Sequence, residues 1–154
     1  GSRSTDTLAW VGPPRVRSGD ELPLGPVTGT PAAYDAPRPP RPGPLRVVPG
    51  PRADWFAPDA LRRLCATGYT VRPESNRIGV RLEGPPLERV RPGELPSEGM
   101  VLGAVQVPPD GRPVVFLADH PTTGGYPVLA VVRTDDLWQC AQLRPGDPVR
   151  FSVS

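Results

Sequence analysis

Three stretches of the chain carry side chains that could do chemistry. The first is Ser75-Asn76-Arg77-Ile78-Gly79-Val80-Arg81-Leu82-Glu83-Gly84-Pro85, where hydroxyl, amide, guanidinium and carboxylate groups crowd around a short strand bounded by glycines. Side chains alternate along a strand, so Arg77, Arg81 and Glu83 share one face. Planar guanidinium groups on one face suit a carboxylate or a phosphate. The same spacing describes a solvated face with a weak surface ion pair, and spacing alone favours that plainer reading. The second stretch is Ser97-Glu98-Gly99 followed by residues 103–108, in which Gln106 is the polar residue of an otherwise apolar strand. A buried amide needs partners, so Gln106 is either a structural bridge or a ligand contact.

The third stretch, residues 117–127, is the most informative. Two prolines frame Thr122, Thr123, Gly124, Gly125 and Tyr126, directly after Asp119 and His120. Glycines let backbone N–H groups approach a ligand, and such a loop can form an anion-binding nest. Asp119 and His120 offer an acid/base pair. The plainer alternative is a hairpin loop whose threonines cap the turn. A phosphate-binding P-loop is excluded, because all 18 basic residues are arginine and no lysine exists.

The elements that must position these groups follow from composition and pattern. With 25 prolines in 154 residues, long helices are excluded and turns must be many, so a mainly β domain is expected. Strands are expected at 45–48, 69–72, 80–82, 99–107, 113–118, 128–133 and 149–153. The apolar runs at 113–118 and 128–133 are expected as buried neighbours. A short helix should start near Pro58 and reach Cys65, with apolar residues at 61, 64 and 65. A second should start at a Thr134 or Asp135 cap and reach Gln142. Many short strands with two short helices suggest a closed barrel. Arg17-Ser-Gly-Asp20, Arg91-Pro-Gly-Glu94 and Arg144-Pro-Gly-Asp147 repeat one turn pattern that asks for a glycine with positive φ.

Ahead of the barrel domain at 45–154, residues 1–25 read as the end of a preceding domain, with a turn at 17–20 and a short strand at 21–24. Residues 26–44 read as a semi-rigid proline-rich connector. The net charge of +2 gives no argument for nucleic acid. Cys65 and Cys140 form no metal or redox motif and read as buried thiols in the two helices. No apolar run of about 20 residues and no signal peptide is present, which points to a soluble, cytoplasmic protein.

The three stretches, in this order, resemble one family: the carboxyltransferase domain of urea carboxylase and its free-standing bacterial relatives. Those relatives are called allophanate hydrolase subunit 2, the C subunit of 5-oxoprolinase, or the antagonist of a sporulation kinase inhibitor. The resemblance rests on SNRIGVRLEGP, SEGMVLGAVQVPPDGRPVVFLAD, TTGGYP and AQLRPGDPVRF, which cover most of residues 70–151. GSRSTD and RSGDELPLG resemble an internal segment of the family, which implies that this chain is the C-terminal half of a longer subunit. The fold implied is a cyclophilin-like closed β-barrel.

The resemblance implies two chemistries. One is ATP-dependent opening of 5-oxoproline to glutamate, within a heteromer. The other is transfer of a carboxyl group from carboxybiotin to urea or a similar amide. A third implication, of a different class, is a non-catalytic regulator of a kinase-inhibitor-like partner. The implied partners are the N-terminal half of the same subunit and a B-subunit-like, kinase-inhibitor-like protein. Residues matching the family motifs supply the candidate site. Asp119, Thr123 and Tyr126 are the catalytic candidates. Asn76, Arg77, Arg81, Glu83, Gln106, Thr122, Gly124 and Gly125 are the substrate-binding candidates, and no metal ligand is expected. Without lysine the chain cannot carry biotin, which must arrive on another domain.

Overall fold

The computed structural model describes Thr5, residues 9–30 and residues 42–154. The chain divides into two compact units, Gly1–Arg38 and Pro39–Ser154. The division falls within the stretch expected as a connector, whose residues 31–41 lie outside the described residues, as does most of the GSRSTD opening. In the first unit the turn at 17–20 forms: Asp20 N–H donates to Arg17 O at 3.2 Å, and Arg17 N–H donates to the Asp20 carboxylate at 2.7 Å. The strand expected over 21–24 does not form. Residues 21–28 are exposed and irregular, and Pro23 and Pro26 supply no backbone donors for a ladder.

The second unit is a closed seven-stranded barrel with two short helices. Its strands are β1 (Leu45–Pro49), β2 (Gly68–Val71), β3 (Gly79–Glu83), β5 (Ala104–Gln106), β6 (Val114–Phe116), β8 (Val128–Val132) and β9 (Pro148–Val153), arranged β1-β8-β5-β6-β3-β2-β9. Closure comes from a parallel pairing of β1 with β9, Leu45 opposite Phe151 and Val47 opposite Val153. A separate two-stranded flap joins β4 (Glu98–Gly99) to β7 (Thr123–Gly124).

Alternation along the strands builds the interior. Val47, Val80, Leu82, Val105, Val115, Leu129 and Phe151 pack into one buried cluster. Leu64 of helix α1 (Ala60–Ala66) and Cys140 of helix α2 (Leu137–Cys140) join it. The opposite face of the barrel wall carries a second, smaller cluster of Met100, Ala104, Phe116 and Val128. The run at 113–118 is therefore apolar on both faces: Val115 points inward while Phe116 lies in the outer cluster.

Three expectations change. The strand foreseen over 99–107 is two strands, β4 and β5, separated by a turn in which Gly103 takes φ +83°. β6 and β8 are not paired; β5 lies between them and pairs with both. The second helix is shorter, a 3-10 turn at Thr134–Asp136 followed by α2, and no side chain caps either segment. The Asp136 carboxylate is turned instead to β1, where it accepts from Arg46 N, Nε and Nη2 at 2.8, 2.9 and 2.7 Å. The repeated turn appears as read: Gly19, Gly93 and Gly146 take φ of +93°, +94° and +93°. At the last of them the Asp147 carboxylate accepts from Arg144 N–H at 2.7 Å, just as Asp20 does from Arg17. No helix among the described residues is long and apolar enough to cross a membrane.

Candidate functional site

The segment before β3 is a tight turn tied by its own side chains. Ser75 Oγ accepts from Arg81 N–H at 2.9 Å and donates to Arg81 O at 3.2 Å. Asn76 Oδ1 accepts from Ile78 N–H at 2.9 Å. These bonds start β3 at Gly79 and set Arg81 on the outer face of the barrel. Glu83 shares that face but pairs with Arg112 at 2.8 Å and Arg72 at 3.9 Å. Arg77 lies before the strand and pairs with Asp119 at 3.0 Å, both groups well exposed.

Beside Arg81 the outer face holds a recess of about 160 Å³. Ile78, Pro108, Val114 and Phe116 make its apolar walls, and Asn76, Arg81, Gln106 and Tyr126 bring polar groups to it. Gln106 projects from the outer face of β5 yet is only 5% exposed. Its Nε2 donates to Tyr126 O at 3.0 Å and lies 3.9 Å from Met100 Sδ. The flap sits over it. Met100 N–H donates to Thr122 O at 2.9 Å, and Leu95 N–H donates to Gly125 O at 3.1 Å. Arg52 pairs with Glu98 of the flap, with Nε at 3.0 Å from the carboxylate. This guanidinium holds the Glu98 carboxyl below its ordinary range.

The structure therefore gathers Asn76, Arg81, Gln106 and Tyr126 into one recess. Thr122, Thr123, Gly124 and Gly125 form or border the flap strand β7 and are not part of the recess wall. The loop is not an anion nest, because neither Gly124 nor Gly125 takes a positive φ. Gly124 packs closely here: a Cβ there would lie 2.9 Å from Gln106 Nε2 and 3.1 Å from Met100 Sδ, so those side-chain ends would have to shift. Asp119 and His120 do not pair with each other. Asp119 is engaged by Arg77, and His120 Nδ1 meets Pro121 O at 2.7 Å. Arg52 was missed in the sequence, since its partner lies 46 residues away and no local motif joins them.

A larger cavity of about 530 Å³ opens elsewhere, among Leu102, Leu117, Leu137, Trp138 and Leu143. Asn76 and Arg77 are its main polar groups, and Arg77 is already paired, so the smaller recess carries more usable chemistry. Cys140 also borders this cavity; burial pushes its thiol up to about 12 and raises that of the half-buried Cys65, which leaves both as poor nucleophiles.

Across residues 1–153 the sequence matches the family described as carboxyltransferase domain, subdomain A and B. The chain belongs to this family. Among longer curated proteins, the C subunit of 5-oxoprolinase from Escherichia coli is similar to this chain, 37% identical over 107 residues, covering 70% of this chain and 34% of that protein. The chain thus spans about a third of that relative's length. Among solved structures, TTHA0988 superposes with a TM-score of 0.68 at 44% identity, covering 84% of this chain and 24% of the other. The K. lactis urea amidolyase superposes with a TM-score of 0.65 at 32% identity, covering 70% and 7%. At these identities and TM-scores the chain shares its fold with both solved structures.

Proposed function

We propose that this carboxyltransferase-domain chain is the barrel-bearing part of a 5-oxoprolinase C subunit. It would act with the N-terminal half of the same subunit and with a B-subunit-like partner to convert 5-oxoproline to glutamate. The observation that carries the reading is the recess in which Arg81 and Gln106 converge over apolar walls. No hydrogen bond or ion pair among the described residues closes on the Arg81 guanidinium, whose charge acts on Glu74 only through space. A guanidinium with its donors unused suits a substrate carboxylate or a developing oxyanion, and a neighbouring amide suits a lactam. The similarity to the C subunit of 5-oxoprolinase supports the same substrate.

ATP does not fit this recess. Its volume is below the roughly 300–1,000 Å³ usual for ligands of that size. Arg81 is its only cationic group. ATP would therefore bind outside this recess. Biotin-dependent carboxyl transfer is the second reading, favoured by the likeness to urea amidolyase. The ureido head of biotin offers a carbonyl and N–H groups that Arg81 and Gln106 would match, and the carrier lysine would come from another domain.

ATP-dependent loss of 5-oxoproline by the complex reconstituted with its partners tests the proposal. Arg81→Ala should lower kcat/KM by about 10²-fold, the scale of losing a charged hydrogen-bonding partner. Full activity in that variant would remove the recess from the chemistry. Turnover of urea with carboxybiotin, and none of 5-oxoproline, would favour the second reading.

A further inference from the structure

We propose that Gln106 selects the ligand of the recess by accepting a hydrogen bond from an amide N–H, while Arg81 holds an anionic group; this rests on the lactam reading above. A carboxamide has one end that donates and one that accepts. The Tyr126 carbonyl only accepts, so the atom 3.0 Å from it must be Nε2. The flap closes the same side. Gly124 leaves no room beyond Nε2, and Met100 Sδ lies against it. The orientation of the amide is thus fixed by chemistry, and Oε1 is its free end.

Among the described residues no hydrogen bond reaches Oε1, although the side chain is more than nine-tenths buried. The atom is not sealed inside the protein either, since the one fully enclosed, unpartnered polar side-chain atom among the described residues is Arg89 Nε. Oε1 therefore opens on the recess that Gln106 lines. Open to the recess, Oε1 is served by water in the free protein, and a ligand that displaces this water must bring an N–H or O–H in its place or leave a nearly buried acceptor unpaired. Turning the amide over to serve a ligand acceptor would set Oε1 against Tyr126 O, lone pair to lone pair. Gln106 therefore cannot adapt, and a ligand with a ring oxygen in place of N–H meets repulsion where the lactam meets a hydrogen bond.

The pair of ligands that tests this is 5-oxoproline and its lactone counterpart, which keeps the carboxylate and replaces the ring N–H with oxygen. Affinities are measured on the assembled complex by calorimetry or competition. The wild type should prefer the lactam by about tenfold or more. Gln106→Met keeps the bulk of the side chain and should lose most of that preference by weakening the lactam, with lactone binding nearly unchanged. Arg81→Ala should weaken both ligands alike, because both carry the carboxylate. An unchanged preference in Gln106→Met overturns the inference and leaves the oxoprolinase reading standing. If that variant fails to assemble, the wild-type ratio decides: equal affinity for the two ligands overturns the inference. Binding of neither ligand by the wild-type complex overturns the oxoprolinase reading, and the inference with it.

Discussion

The carboxylate of Asp136 accepts three hydrogen bonds from Arg46, one of them from the backbone N–H of β1. It closes a contact between residues 90 apart and so joins the end of β8 to the first strand. Arg46 holds this carboxyl below its ordinary range, chiefly through the side-chain hydrogen bond. The folded-state value is depressed, so the contribution is complete above the unfolded value of about 3.9 and is lost as pH falls through the folded value. Asp136→Asn should therefore flatten the loss of stability below about pH 4, as followed by urea denaturation across pH. Asp136→Ala should cost about 1–3 kcal/mol at neutral pH, because the Arg46 backbone N–H is left without its partner. At this scale the sequence exposed part of the site. Gln106 stood out as a polar residue in an apolar strand. Which end of its amide is held depends on a carbonyl 20 residues away, and no local pattern encodes that.

The flap shows where strand reading stops. Most barrel strands are legible because alternation and apolar runs mark them, with bounds differing by a residue or two. β4 and β7 have two residues each, too few for any period, and their pairing is flanked by long-range backbone hydrogen bonds, Met100 N–H to Thr122 O and Leu95 N–H to Gly125 O. The Gly124-Gly125 pair looked like a place for a ligand to meet the backbone. In the fold it is the place where a strand lies flush on Gln106. A substitution at Gly124 should then act on the recess through the amide. Gly124→Ala should cost about 1–3 kcal/mol as an overpacked contact and should weaken 5-oxoproline binding by displacing Nε2 from Tyr126 O. Gly99→Ala, on the neighbouring flap strand, is the control. A Cβ there meets nothing within 4 Å, so stability should change by less than about 0.5 kcal/mol and binding should be retained. Equal effects of the two variants would mean that the flap acts as a whole rather than through the Gly124 contact.

At the scale of the molecule, closure depends on the last strand. β9 pairs with β1 on one side and β2 on the other, and it carries Val149 and Phe151 into the interior. The parallel β1–β9 pairing joins the two ends of the barrel unit, and sequence periodicity has no means of announcing which strands close a ring. The mainly β class and the two short helices were legible from proline content and pattern; the ring order β1-β8-β5-β6-β3-β2-β9 was not. Every buried apolar side chain of both clusters comes from Leu45 or later. Removing residues 1–38 should therefore leave a single cooperative thermal transition, followed by circular dichroism. Removing residues 148–154 should abolish it, because β1 and β2 would both become open edges and two interior side chains would be lost. A cooperative transition after the C-terminal deletion would show that the barrel closes without β9, and loss of cooperativity after the N-terminal deletion would show that the barrel draws its stability from outside its own core.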